Sequence, residues 1–197
     1  MASSRQFAAG FSLVEVLVSI VVLSVGLLGA ISMLLASVRT SSEAATFTAA
    51  VNLVRELSEK ARMNKGIAAG NNAANAYLVE NWRASSSSGT TSADATCVAS
   101  GAACNAVDLA AWDMSEWTRR IARALPDARL SVCFDEAPWN AAMGEYTWAC
   151  SKTGHTVVVK LGWTPHAGSA KAPSSPPPPR LVMQLVAGQA HDGHAGS

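Results

Sequence analysis

The chain has 197 residues, 49% of them hydrophobic and only 15% charged, and its 15 Lys and Arg against 14 Asp and Glu leave a net charge of +1. So sparse and balanced a charge set lacks the basic surface that nucleic acid requires, and no nucleic-acid partner is expected. The first third reads as one helix, which leaves roughly 130 residues for a single small head.

Met1 to Gly10 is short and polar, with Arg5 its only charge, and Val16 to Val38 then holds no charged residue. As a helix rising about 1.5 Å per residue, that run reaches roughly 35 Å, enough to cross a bilayer core of about 30 Å. A secretory signal peptide is cut after its apolar region. Here the candidate junction, Gly10 to Phe11, precedes it, so cutting there leaves the anchor attached. Arg5 favours a cytoplasmic N-terminus with everything after Val38 across the membrane, while Arg39 on the far flank pulls the other way.

Glu15 is the one carboxylate inside this apolar stretch, where an ionised group is costly unless it is paired or reaches the headgroups. A cut after Gly10 would give Phe11 an α-amino group, largely protonated at neutral pH, at the depth of Glu15. An acid of one subunit paired with the amine of another would set axial register and relieve both desolvation costs. The spacing equally allows Glu15 to snorkel, or to pair with its own N-terminus one turn away.

From Phe11 to Asn64 no proline interrupts the pattern, which predicts one helix of some 80 Å. Phe47, Ala50, Val51, Val54, Leu57 and Ala61 form an apolar stripe expected to pack on the chain's own head. Arg55 with Glu59 and Glu56 with Lys60 have i,i+4 spacing on the other side. Ile67 to Ser100 is rich in Ala, Asn, Ser and Gly, with Ser85 to Gly89 its most linker-like part, and reads as a long surface connection. Asp113-Met114-Ser115-Glu116 has the form of a capping box opening a helix that Pro126 ends. Arg119, Arg120 and Arg123 on that helix read as a solvated face.

Leu130, Val132 and Phe134 alternate with polar positions and predict a strand. Tyr146 to Cys150 is a second candidate, His155 to Trp163 a third after a turn at Ser151 to Gly154, and Arg180 to Val186 a fourth. These imply an antiparallel meander packed on a helix. Pro176 to Pro179 reads as a polyproline II spacer and Ala187 to Ser197 as a disordered tail.

Four cysteines, Cys97, Cys104, Cys133 and Cys150, all follow the anchor, in the part that would be exported, so disulfides are expected over metal. Cys97 and Cys104 could close a loop of about eight residues, worth roughly 2.5 kcal/mol, and Cys133 and Cys150 one of about 18, worth roughly 3 kcal/mol. His155, His166, His191 and His194 with these cysteines could suggest zinc, but Cys97 to Cys104 lacks the spacing of a zinc knuckle and His191 and His194 fall in the tail read as disordered. There is no phosphate-cradling loop, nucleophile elbow or acid pair placed for catalysis, so neither enzyme activity nor a cofactor or metal is expected.

Gly10-Phe11-Ser12-Leu13-Val14-Glu15, after a short polar leader and before the apolar helix, resembles the class III prepilin signal of type IV pilins and pseudopilins. The resemblance implies cleavage by prepilin peptidase between Gly10 and Phe11, N-methylation of Phe11 and a role for Glu15 in assembly. It also implies a long helix packed in a filament core and an antiparallel sheet head. Val25 to Gly29, Leu57 to Asn64 (LSEKARMN), Asp108 to Pro126 (DLAAWDMSEWTRRIARALP) and Ser131-Val132-Cys133 are similar to the V-type minor pilins, the PilV-type family of type IV pilus modification proteins. Ala9 stands where such leaders often carry Lys or Arg, and the helix lacks the proline found midway along many major pilins.

The expected class is therefore an α+β, pilin-like chain: leader 1–10, membrane or filament-core helix 11–38, amphipathic continuation 39–65, connecting region 66–107, head 108–187 and tail 188–197. The resemblance implies a single-pass protein of the bacterial inner membrane with a periplasmic head, later part of the pilus at the cell surface. Its implied partners are prepilin peptidase, other minor pilins, the major pilin and the inner-membrane assembly platform. Two rivals share parts of the pattern: a type II secretion pseudopilin, and a membrane-anchored periplasmic enzyme or metal-binding module.

Overall fold

The computed structural model describes residues 12–86, 97, 103–164 and 177–185. The Gly10 to Phe11 junction, Ser87 to Gly89 of the linker-like run, Pro176 and the tail from Ala187 lie outside the described residues. The chain divides into two compact units, Met1–Ser42 and Glu43–Ser197. Helix α1 spans Leu13–Met63, as the unbroken apolar and then amphipathic pattern predicts.

In the first unit every described side chain is exposed. The helix here is long and apolar enough to cross a membrane. Its hydroxyls fold back on the backbone one turn earlier: Ser19 Oγ donates to the Glu15 carbonyl at 2.7 Å, Ser24 to Ile20 at 2.7 Å, Ser32 to Leu28 at 2.9 Å and Thr40 to Ala36 at 3.1 Å. These four hydroxyls are thereby satisfied without leaving the helix.

In the second unit the stripe on α1 is buried at Ala50, Leu53, Val54, Leu57 and Ala61, so it packs on the chain's own head as expected. Phe47, the first residue of the predicted stripe, is instead half-exposed, with its ring 6.1 Å from that of Trp163. The i,i+4 pairs expected beside the stripe do not form, and Glu59 pairs instead with Arg62, three residues on. Glu56 meets Arg120 and Lys60 meets Asp113, both on another helix, because a partner across the interface is held by packing while an i,i+4 partner is not.

A short helix, α2 (Lys65–Ala68), follows, and then β1 (Val79–Arg83). That strand lies within the stretch read as surface connection. Asn81, at φ 56°, interrupts its alternation with a bulge between Val79 and Trp82.

Helix α3 (Ala106–Ala124) begins seven residues before the predicted capping box, and the Asn105 side chain accepts from the backbone N–H of Val107 and Asp108, each at 2.9 Å. That is an N-cap in full, and Asp113 is a buried residue within the helix instead.

Strands β2 (Arg129–Phe134), β5 (Val157–Gly162) and β6 (Leu181–Leu185) complete an antiparallel sheet in the order β1-β2-β5-β6. Tyr146 to Cys150 is not the second strand of this sheet. Only Glu145–Tyr146, β4, is extended, pairing with β3 (Trp139–Asn140) in a two-residue ribbon. The sheet therefore has four strands, with β2 paired directly with β5 and β1 added at the edge beside β2.

Leu130, Val132, Val157, Val159, Leu161, Leu181 and Leu185 join α1, Trp117 and Ile121 of α3, and Tyr77 in one core. Trp117 Nε1 donates to the Leu53 carbonyl at 2.8 Å, tying α3 to α1 inside it.

Candidate functional site

Glu15 sits in the first turn of α1, a position that the positive end of the helix dipole favours for an acid. Its backbone N–H donates to Ser12 O at 3.0 Å. The side chain is exposed and makes no ion pair among the described residues. On the helix around it Leu13, Val14, Val16, Leu17 and Val18 are all exposed, and a shallow apolar groove is lined by Leu13, Val16, Leu17, Ile20 and Val21, without Glu15. The acid is therefore displayed on an apolar helix surface. Gly10 and Phe11 fall outside the described residues.

The four cysteines form two bonds, Cys97 to Cys104 and Cys133 to Cys150, and none is free. These are the pairings the spacing allowed. Among the described residues no three of His, Cys, Asp and Glu stand together as a metal site.

Two buried charge clusters lie in the head. In the first, Lys60 Nζ donates to Asp113 Oδ1 at 2.6 Å and the Tyr77 hydroxyl donates to Asp113 Oδ2 at 2.9 Å, so α1, α3 and the segment before β1 meet at one carboxylate. Burial, then the hydrogen bond to Asp113 and its charge, push the Tyr77 hydroxyl above its ordinary value, which keeps its proton in place.

In the second, Lys160 and Asp135 are both buried, with Nζ 2.5 Å from Oδ2 and 2.6 Å from the Ala149 carbonyl. Burial alone would raise the Asp135 carboxyl. The Lys160 hydrogen bond, the backbone N–H groups of Ala137 and Ser151 and the Lys160 charge outweigh it and hold the carboxyl below its usual range. Sequence reasoning did not single out this pair. The signal available was Lys160 itself, a lone cation in the apolar run Val157-Val158-Val159-Lys160-Leu161, which demands a buried partner.

Arg129 and Arg83 face each other across β1 and β2, and burial, then the charge of Arg83, lower the Arg129 guanidinium from its ordinary value. Arg129 lies over the Trp148 ring at 4.2 Å, a cation–π contact that occupies the guanidinium face. Its Nε and Nη1, with Trp82 Nε1, have no hydrogen-bond partner among the described residues. Of the arginines on α3, Arg119 pairs with Glu116 and Arg120 with Glu56, while Arg123 lines a groove between α1 and α3 with Ala49 and Asn52.

A long N-terminal helix whose second part packs on a four-stranded antiparallel sheet, with shorter helices beside it, is a type IV pilin-like α+β architecture. The prokaryotic N-terminal methylation motif matches residues 5–31, a span that includes the Gly10 to Phe11 junction, Glu15 and most of the apolar run. Together these support a type IV pilin-like or pseudopilin-like protein, with the membrane-anchored precursor and prepilin peptidase processing that such a signal implies. No curated protein and no solved structure is significantly similar to the chain.

Proposed function

We propose that the chain is a V-type, PilV-like minor pilin that takes part in assembling or initiating a type IV pilus and has no catalytic role. Prepilin peptidase cuts between Gly10 and Phe11, the new Phe11 amine is N-methylated, and Glu15 of an incoming subunit pairs with the Phe11 amine of one already assembled. The match of the methylation motif to residues 5–31 is the observation that carries this reading.

The exposed Glu15 side chain on an apolar helix surface supports its part in assembly, because such an acid is stabilised by a cation at the same depth. The subunit sits first in the inner membrane with its head in the periplasm. It then enters the fibre through contacts with other minor pilins and the major pilin at the inner-membrane platform. The same motif serves type II secretion pseudopilins, and that system is the second reading.

Mass spectrometry of the mature N-terminus tests processing: a chain beginning at N-methyl-Phe11 supports the class, and one beginning at Met1 overturns it. Glu15→Ala is expected to leave the protein in the inner membrane and to reduce its recovery in sheared pili several-fold. Equal recovery would remove the assembly role of Glu15. Loss of secretion with intact pili in a deletion strain would move the protein to the second reading.

A further inference from the structure

Between Phe134, the last residue of β2, and the start of β5 the chain makes a long excursion, and none of residues 136–150 is buried. Both ends of the excursion are nonetheless held hard. Cys150 is bonded to Cys133, Asp135 is locked to Lys160, and Lys160 also donates to the Ala149 carbonyl. Trp148 lies against Gly162 and Arg129 and donates from Nε1 to the Pro177 carbonyl at 2.7 Å. A disulfide and a buried ion pair thus fix a segment that adds nothing to the core.

What they hold in place is the β3–β4 hairpin. Trp139 stands opposite Tyr146 with ring centroids 5.0 Å apart in an edge-to-face pair, and the Asn140 side chain accepts from Ala142 and Met143 N–H to shape the turn. Gly144, at φ 68°, closes the turn in a conformation that side chains disfavour. The hairpin leaves Trp139 50%, Met143 70% and Tyr146 38% exposed. Rigid, exposed aromatic groups on an immobilised loop lose little entropy on binding, which is the form of an interaction hot spot.

The charge around it selects the partner. From Leu130 to Ser151 there is no Lys, Arg or His, while Asp135, Glu136 and Glu145 lie within that run. Asp135 is neutralised by Lys160, and Glu136 and Glu145 are in no ion pair among the described residues. We propose that the β3–β4 hairpin is a docking surface for a cationic protein segment, which lays a Lys or Arg side chain on the Trp139 ring while Glu136 and Glu145 supply the opposing charge. The same acids disfavour an anionic lipid surface.

The test uses the full chain in neutral detergent, with a hexa-arginine peptide as probe and the indole N–H resonances as the signal. Hexa-arginine is expected to bind, more weakly as salt rises. Trp139→Ala is expected to weaken it about tenfold and the double variant Glu136→Gln, Glu145→Gln about threefold, with Trp139→Phe retaining part of the binding. No binding of hexa-arginine, equal binding by Trp139→Ala, or equal binding of hexa-glutamate would overturn the proposal. Trp139-dependent binding to phosphatidylglycerol vesicles would instead assign the hairpin to a membrane, and Trp139-dependent self-association in sedimentation to a second copy of the chain.

Discussion

Glu15 and Asp135 are both acids set against apolar runs, and the two units of the chain treat them in opposite ways. In the head, Asp135 is buried and answered by Lys160 and two backbone N–H groups. In the first unit, Glu15 lies exposed among exposed Leu and Val side chains, with no cation beside it among the described residues. The head answers its buried acid and completes its own core, whereas the apolar stretch leaves both to its surroundings.

The largest break in this contrast is expected from Lys160→Met. It strands Asp135 in the core and should cost about 3–5 kcal/mol of head stability, read from denaturant unfolding of the detergent-solubilised protein. Adding Asp135→Leu should recover much of the loss, since replacing a buried pair costs less than breaking it.

Next in size, Leu57→Ala should cost about 2–4 kcal/mol in the same assay, because it empties a fully buried site. Leu23→Ala on the exposed stretch should leave the head transition within about 0.5 kcal/mol. Equal effects would erase the distinction between the two parts of α1.

Asn105→Ala removes the cap of α3 and should cost about 1 kcal/mol.

The smallest effect is a pH slope. Because the Asp135 carboxyl is held below its unfolded value, its contribution is complete above the ordinary carboxylate range and is lost as pH falls through the folded value. Acid titration of head stability should show this loss, and Asp135→Asn should flatten that part of the curve.

The long apolar helix was legible in the sequence because its signal is local. An uncharged run and the one acid beside it need no knowledge of the fold. The stripe on α1 was legible for the same reason, through its spacing.

What could not be read was set by distant partners. Asp113 satisfies the pattern of a helix start, yet Lys60 and Tyr77 draw it into the core and Asn105 caps the helix instead. β1 was hidden because the bulge at Asn81 breaks the two-residue alternation that marks a strand. Tyr146 to Cys150 does alternate, but Cys150 and Trp148 are held over the sheet by Cys133, Arg129 and Gly162, so the segment covers strands and does not join them. Of the candidate site, Glu15 and the cysteines were visible as residue types, while the Lys160 to Asp135 pair joins positions 25 apart.

The hydroxyls of Ser19, Ser24, Ser32 and Thr40 are already bonded to carbonyls of their own helix. Those four hydroxyls need no new partner when the helix exchanges one apolar environment for another. In the assembly proposed above, transfer from lipid to a bed of neighbouring helices would turn on shape and on the Glu15 carboxylate, the main polar obstacle on that route.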